Sequence, residues 1–121
     1  TFRAATSFNQ DLTDWATKIG NVVTAFEMFR AATSFNQDIS SWVPNMNLNV
    51  ILSSFMLGKT SGNYNYAYYD NFLVAMAARS WAGRSTAKTL GMGTIKYSTA
   101  ASTARAALVA DGWTITDGGL V

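Results

Sequence analysis

Short apolar stretches alternate with polar turns through the first half of the chain, and this alternation repeats with a fixed period. Residues 2–11, with the sequence FRAATSFNQD, return unchanged as residues 29–38, an offset of 27 residues. A third, degenerate copy follows over residues 57–69, where only some positions are the same as in the first two. A period between about 20 and 50 residues is typical of proteins in which each unit buries its apolar side against the next. The sequence therefore predicts stacked repeat units over residues 1–69, the last of them degenerate.

Each unit contains one stretch that predicts a strand and one that predicts a short helix. Residues 21–26 and 49–55 are rich in β-branched side chains, which favours strands. One strand per period arrives in the same direction each time, so these strands are predicted to be parallel. Residues 10–18 carry apolar side chains at helical spacing and predict a short α-helix or 3₁₀ turn.

Two sets of side chains recur in register with the repeat. The amide set is Asn9, Asn36 and Asn63, and the aromatic set is Trp15, Trp42 and Tyr69. An Asn side chain can close a turn or bridge the backbones of adjacent units, and a repeated aromatic residue is typical of core packing. We therefore predict structural roles for both sets. Ligand contact by the amides and an exposed stacking platform for sugars remain alternatives.

The second half of the chain, residues 70–121, predicts a capping segment that belongs to the same domain. Five elements are indicated: a helix capped by Asp70 and ending near Gly83, a loop over 84–91, a strand over 94–97, a helix capped by Ser98 or Thr99 and ending at Asp111-Gly112, and a strand over 113–116. Strand, helix and strand with tight connections form one parallel crossover. We expect this β-α-β unit to close the repeats.

The chemistry available to the chain is restricted, because histidine and cysteine are both absent. The commonest general base and all thiolate ligands are therefore missing. Asp11 and Asp38 occupy equivalent positions, where paired carboxylates can bind calcium or serve glycoside hydrolysis. Their spacing arises from the repeat itself, so turn formation is the favoured interpretation. We predict no catalytic residue, no metal site and no cofactor, and a protein that is not an enzyme.

The charge is small overall but unevenly placed. The net charge is +2, and residues 71–110 contain no acid while five cations lie there: Arg79, Arg84, Lys88, Lys96 and Arg105. Such asymmetry can indicate nucleic acid, lipid or anionic glycan. The cations are spread out and no aromatic–basic RNA motif accompanies them, so a solvated face is favoured over a nucleic-acid site. No apolar run approaches the roughly 18 residues of a membrane span.

The repeat carries a family resemblance. The pattern Met-Phe-x-x-Ala-x-x-Phe-Asn-Gln-Asp-(Leu/Ile)-x-x-Trp at 28–42, and its partial copy at 2–15, resembles the BspA-like leucine-rich repeats of bacterial surface proteins and lipoproteins. The resemblance implies an α/β fold: a leucine-rich-repeat-like right-handed solenoid with parallel strands, closed by the β-α-β cap. The chain begins inside a repeat, so we expect it to be the C-terminal piece of a longer protein.

The same resemblance implies a non-enzymatic module for protein binding or adhesion, located extracellularly at a cell surface or on a virion. Its expected partner is a protein or cell-surface receptor, or further copies of itself. The alternative is a self-assembling structural subunit of a virion fibre, tail or filament. Tyr64, Tyr66 and Tyr68 would share one face if extended and form a candidate contact patch, with core packing as the competing interpretation. A carbohydrate-binding module using these tyrosines with Trp15 and Trp42 is a third hypothesis.

Overall fold

A computed structural model describes residues 2–121 of the chain. The regular elements of these residues are two α-helices, two strands and four 3₁₀ helices: α1 (Tyr66–Ala78), α2 (Ser102–Ala110), β1 (Thr89–Gly91), β2 (Thr114–Thr116), and the 3₁₀ helices Thr13–Thr17, Ile19–Asn21, Ser40–Asn45 and Thr99–Ala101. A single apolar core takes side chains from both halves of the chain. The proposed division after residue 69 stays a prediction.

The predicted leucine-rich-repeat-like solenoid with parallel strands is wrong. Residues 21–26 and 49–55 form no strand and share only the isolated parallel bridge between Thr24 and Ile51. Glu27 and Ser54 take left-handed conformations at the ends of these stretches, with φ of 57° and 53°. The backbone therefore turns before either stretch can form a strand of several residues. The β-branched side chains of these stretches serve packing and not strand formation. The structure is a small arrangement with weak mixed α/β content and one two-stranded parallel sheet.

The two copies of the decapeptide nevertheless lie side by side in register. The rings of Trp15 and Trp42 stack with centroids 6.1 Å apart, and those of Phe2 and Phe29 with centroids 5.4 Å apart. The same backbone position links each copy to the unit that follows it. The N–H of Phe2 donates to the carbonyl of Met28 at 2.8 Å, and the N–H of Phe29 donates to the carbonyl of Phe55 at 2.9 Å. The residues 10–18 predicted as a helix or 3₁₀ turn contain the 3₁₀ helix Thr13–Thr17.

The first helix of the second half begins earlier than predicted. Helix α1 is capped by Asn65, whose side-chain oxygen accepts a hydrogen bond from the N–H of Ala67 at 2.9 Å. The cap satisfies one of the N–H groups that the first turn leaves without a helical partner. Asp70, the predicted cap, lies inside the helix and is buried, where it accepts hydrogen bonds from the N–H and hydroxyl of Ser98. The helix ends at Ala78, well before Gly83.

The first strand of the two-stranded sheet also lies at a different place in the sequence from the predicted one. β1 occupies residues expected to be a loop, and the predicted strand at 94–97 has only isolated bridges at its two ends. The reason is a close backbone approach: a Cβ on Gly91 would lie 2.4 Å from the nitrogen of Ser54. Only glycine allows this contact, which brings β1 beside the repeats.

The final crossover follows the predicted order. The side chain of Ser98 accepts a hydrogen bond from the N–H of Ala100 and begins the 3₁₀ turn that runs into α2. After α2, Gly112 takes a φ of 102° at the predicted stop, and β2 then pairs in parallel with β1. This places α2 against α1 and fixes the second half around both helices.

Candidate functional site

The first repeat unit presents a group of apolar side chains, which we call the end face: Phe2, Phe8, Trp15 and Val22, which are partly exposed, and Ile19, which is buried beneath them. The ring of Phe2 lies 4.4 Å from that of Phe8 and 5.3 Å from that of Trp15, centroid to centroid. Trp15, Ile19 and Val22 line an apolar hollow of about 180 Å³ together with Lys18. Trp15 is 43% exposed. A connected aromatic surface of this kind is a feature that a folded chain normally buries or uses.

The equivalent side chains of the second unit are fully buried because the first unit covers them. Three ring pairs share one geometry, with planes within 12° and centroids 5.4, 5.9 and 6.1 Å apart: Phe2–Phe29, Phe8–Phe35 and Trp15–Trp42. Phe29, Phe35 and Trp42 each have no exposed surface. Equivalent aromatic residues are thus fully buried in the second unit and partly exposed in the first.

The repeated amides bridge the units at two of their three positions. The side-chain oxygen of Asn9 accepts from the backbone N–H of Asn36 at 2.8 Å, and that of Asn36 accepts from the N–H of Asn65, also at 2.8 Å. Asn63 differs, because its side-chain oxygen accepts from the N–H of Thr60 at 3.1 Å within a local turn. The degenerate third unit therefore keeps the residue but changes its contact.

The repeated aromatic position also changes character along the chain. Trp42 is buried and its indole N–H donates to the carbonyl of Leu12 at 3.0 Å. Tyr69 is buried as well, and its hydroxyl donates to a carboxylate oxygen of Asp117 at 2.6 Å. Burial raises the pKa of Tyr69, and the hydrogen bond to Asp117 raises it further. Of this set, Trp15 alone is exposed.

The three tyrosines of the candidate contact patch do not share one exposed face. Tyr64 is buried and donates its hydroxyl to the carbonyl of Gln37 at 2.8 Å, and its burial raises its pKa. Tyr66 and Tyr68 lie in the first turn of α1, so the extended alternation does not occur. Tyr68 packs edge-on to Tyr64 with ring centroids 6.0 Å apart, while Tyr66 is exposed.

Lys59 is a buried cation that was not among the predicted site residues. Its ammonium donates to the carbonyls of Ala32 and Phe35 at 2.6 and 2.7 Å and lies 5.5 Å from the ring centroid of Tyr64. Burial lowers the pKa of Lys59 to about 8. The repeat register carried a signal, since Lys59 stands where the second unit has Ala32, which is fully buried. The ring of Tyr64 stacks on that of Phe35 with centroids 6.3 Å apart, and the Lys59 side chain lies beside both rings.

Two arginines of the acid-free stretch are engaged within the fold. The Arg79 guanidinium lies 4.2 Å from the ring centroid of Trp81, and that of Arg84 lies 5.0 Å from Trp113. Arg84 also donates to the carbonyl of Val50 at 2.7 Å. Burial lowers the pKa of both arginines. These cations join the second half to the repeats.

The carboxylates of Asp11 and Asp38, which stand at equivalent repeat positions, are both engaged in hydrogen bonds. Asp11 accepts from the N–H of Thr13 at 2.8 Å, and the hydrogen bonds from the Thr13 side chain and backbone lower its pKa. Asp38 accepts from the N–H of Ser40 at 2.8 Å and from the amide of Asn71 at 2.9 Å. In residues 2–121 no group of three or more acidic, His or Cys side chains is placed to hold a metal ion. No helix in that part of the chain has the length and apolar character needed to cross a membrane.

Comparison with known proteins gives one match. Residues 1–68, which contain both decapeptides and all but the last residue of the third unit, match a family described as "Mycoplasma protein of unknown function, DUF285". No curated protein and no solved structure matches the chain. The predicted membership of a repeat family is confirmed at this level, and the finer resemblance to BspA-like surface proteins is taken up as a proposal.

Proposed function

Because this chain belongs to the DUF285 family, we propose that it is a non-enzymatic protein-binding or adhesion module of a BspA-like surface protein. The observation that supports this proposal is the end face, where Trp15 stays 43% exposed on a connected aromatic surface. The proposed location is extracellular, at the surface of a cell or of a virion. The proposed partner is a protein or a cell-surface receptor.

The physical case rests on how exposed aromatic surface behaves. Tryptophan offers a large rigid contact area and is enriched among the residues that dominate binding energies at protein interfaces. Phe2 and Phe8 extend the surface on one side of Trp15, and Val22 extends it on another. Lys18 borders the hollow and gives the apolar patch a polar rim, which is the usual anatomy of a protein interface.

The ionisable groups favour the same proposal over catalysis. Lys59 and Tyr64 are fully buried and their polar atoms are bonded to backbone carbonyls. Asp117 is held by Tyr69 and Arg105 in a nearly closed cluster. A catalytic acid or base must reach a substrate proton at hydrogen-bond distance, and these groups are occupied by structural contacts.

A paired substitution tests the proposal. Trp15→Ser with Val22→Thr changes the end face, and Val74→Thr with Val109→Thr changes two exposed apolar residues on α1 and α2 as a matched control. We expect the end-face pair to weaken binding of the protein to intact cells at least about tenfold, the scale of one interface anchor, and the control to leave it unchanged. Binding curves by flow cytometry, with circular dichroism to check folding, give the answer. Equal binding by both variants contradicts the proposal.

The alternative function, a self-assembling structural subunit, draws support from the same surface. An apolar face on a small domain can also be covered by another copy. Sedimentation velocity across a wide concentration range distinguishes the two. Regular polymers would favour the structural subunit, and a monomer at high concentration would exclude it.

A further inference from the structure

We infer that the end face takes another 27-residue unit of this chain's own repeat as its partner. This inference rests on the proposed function, because it names the class of protein that the end face binds. Its basis is that the chain already contains one example of the contact. The side of the second unit that is equivalent to the end face is covered by the first unit.

The two units present the same surface because they share both sequence and backbone conformation. Residues 2–11 and 29–38 are identical. Ala4 and Ala31 hold the same uncommon left-handed conformation, with φ of 55° and 54°. A non-glycine residue rarely adopts this conformation, so its recurrence shows that the two decapeptides turn in the same way. A partner shape that fits one unit therefore fits the other.

Hydrogen-bond donors make the surface selective for this partner. On the second unit, the N–H of Asn36 donates to the side chain of Asn9 at 2.8 Å, and the amide of Gln37 donates to the same oxygen at 3.1 Å. The indole N–H of Trp42 donates to the carbonyl of Leu12 at 3.0 Å. A partner must supply an amide oxygen and a carbonyl at these places, because a buried donor without an acceptor is costly.

The equivalent donors of the first unit are the N–H of Asn9, the amide of Gln10 and the indole N–H of Trp15. None of the three has a protein partner within the described part of the chain, residues 2–121. A general apolar ligand would cover the rings and leave these donors unsatisfied. A repeat unit carries the Asn and the carbonyl that they need.

The backbone beside the end face has an open edge in the same orientation. The N–H of Ala25 donates to the carbonyl of Ile51 at 3.1 Å, and the N–H of Ile51 donates to the carbonyl of Val23 at 2.7 Å. In this parallel bridge the N–H and carbonyl of Thr24 point away from Ile51. An added unit can therefore repeat the bridge at Thr24.

A second copy of the whole chain fits this face poorly. To bind the end face as the first unit binds the second, a copy would need to expose the side of a repeat unit that packs on the following unit. That side is covered at each step, since Phe35 already packs on Tyr64 and Asn36 already bonds to Asn65. Two end faces placed together would oppose like donors, such as the indole N–H of Trp15. The occupant is therefore an unpaired repeat unit.

An inserted repeat tests the inference. A copy of residues 2–28 is inserted between Thr1 and Phe2, which keeps the 27-residue period, and the copy carries Trp15→Phe so that it adds no tryptophan. Of the four tryptophans, Trp42, Trp81 and Trp113 are buried, so quenching of fluorescence by acrylamide reports mainly on Trp15. We expect the quenchable component to disappear in the inserted protein. The matched control insert also carries Phe2→Ser and Phe8→Ser, and there Trp15 should stay as quenchable as in the parent chain.

Two results would overturn the inference. The first is equal quenching of Trp15 with both inserts, which includes the case in which the added unit does not dock. The second is protection of Trp15 in the parent chain that grows with protein concentration, which would make a second copy the occupant. Cell binding is measured separately: loss of binding in the end-face variant with no docking of the insert leaves the adhesion proposal standing and this inference wrong.

Discussion

Residues 2–65 and residues 66–121 build their halves of the core by different means. The first region makes the same contacts twice, because Phe8 stacks on Phe35 as Phe35 stacks on Tyr64, and the amides of Asn9 and Asn36 each accept from a backbone N–H of the next unit. Its regular elements are 3₁₀ helices. The second region contains both α-helices and the sheet and uses contacts that occur once. Asp117, for example, accepts from Tyr69, Arg105 and the N–H of Gly119. Repeated contacts leave one side open for another unit, whereas contacts that occur once close their region.

The largest expected effect on stability comes from Trp42, the buried member of the stacked tryptophan pair. Trp42→Ala removes a fully buried ring and its hydrogen bond to Leu12, and we expect it to lower the free energy of unfolding by about 4 kcal/mol. Trp15→Ala removes the same side chain from the open unit, and its cost should be about 1 kcal/mol or less, because that ring is already partly solvated. Urea denaturation measures both. Similar losses would remove the distinction between the two units.

The next effect tests closure of the second region. Asp117→Ala leaves the guanidinium of Arg105 and the hydroxyl of Tyr69 without their acceptor. We expect a loss of about 3 kcal/mol in the free energy of unfolding, the scale for breaking a buried pair. The control is Asp111→Ala, since its ion pair with Lys88 is partly exposed to solvent and is expected to contribute less than about 1 kcal/mol. The account is wrong here if the two substitutions cost the same.

The third effect is a pH dependence at the junction of the two regions. The pKa of Lys59 falls from its ordinary 10.5 to about 8 on burial, so the unfolded chain binds more protons between those values. Stability should therefore rise as pH increases from about 8 to 9.5, by on the order of 1 kcal/mol. Tyr64 and Tyr69 have raised pKa values and oppose this trend only near and above pH 10.

Lys59→Met is the variant that checks this assignment. Urea unfolding at several pH values between 7 and 9.5 should show the rise in the parent chain and a flat profile in the variant. A rise that persists unchanged in Lys59→Met would assign it to other groups.

The smallest effect compares the units with each other. Ala31 holds a left-handed conformation with φ of 54°, and the equivalent residue of the third unit is Gly58, with φ of 84°. Ala31→Gly relieves the strain of that conformation, so we expect a gain of roughly 0.5 kcal/mol after the added freedom of the unfolded chain is subtracted. Thermal unfolding would show it as a small rise in Tm. A clear loss of stability would mean that the methyl group packs more tightly than its backbone strain costs.

The sequence predicted which residues of the repeat units are equivalent, but it did not predict the backbone conformation of those units. The identity of residues 2–11 and 29–38 predicted that equivalent side chains of the two units lie side by side, and the stacked rings of Trp15 and Trp42 confirm that register. The strands predicted at 21–26 and 49–55 are absent, because β-branched side chains also suit packed, non-strand segments and gave no indication of the left-handed turns at Glu27 and Ser54.

Other errors arose where two local signals competed or where the cause was distant in sequence. Asn65 stood inside an alternation of tyrosines that favoured an extended segment, and its capping role was hidden. Lys59 was not predicted as a buried residue, because the carbonyls of Ala32 and Phe35 that hold its ammonium lie in the neighbouring unit. The partial exposure of Trp15 needed the structure, since its sequence context matches that of the buried Trp42.

The most direct test of the open and closed units is hydrogen exchange of two indole groups, followed by NMR in the intact chain. The indole N–H of Trp42 is buried and bonded to the carbonyl of Leu12 at 3.0 Å, so we predict slow exchange that reports on unfolding of the core. The indole N–H of Trp15, on the exposed side of its stacked pair, should exchange rapidly. Slow exchange at both positions, or rapid exchange at both, would contradict the account.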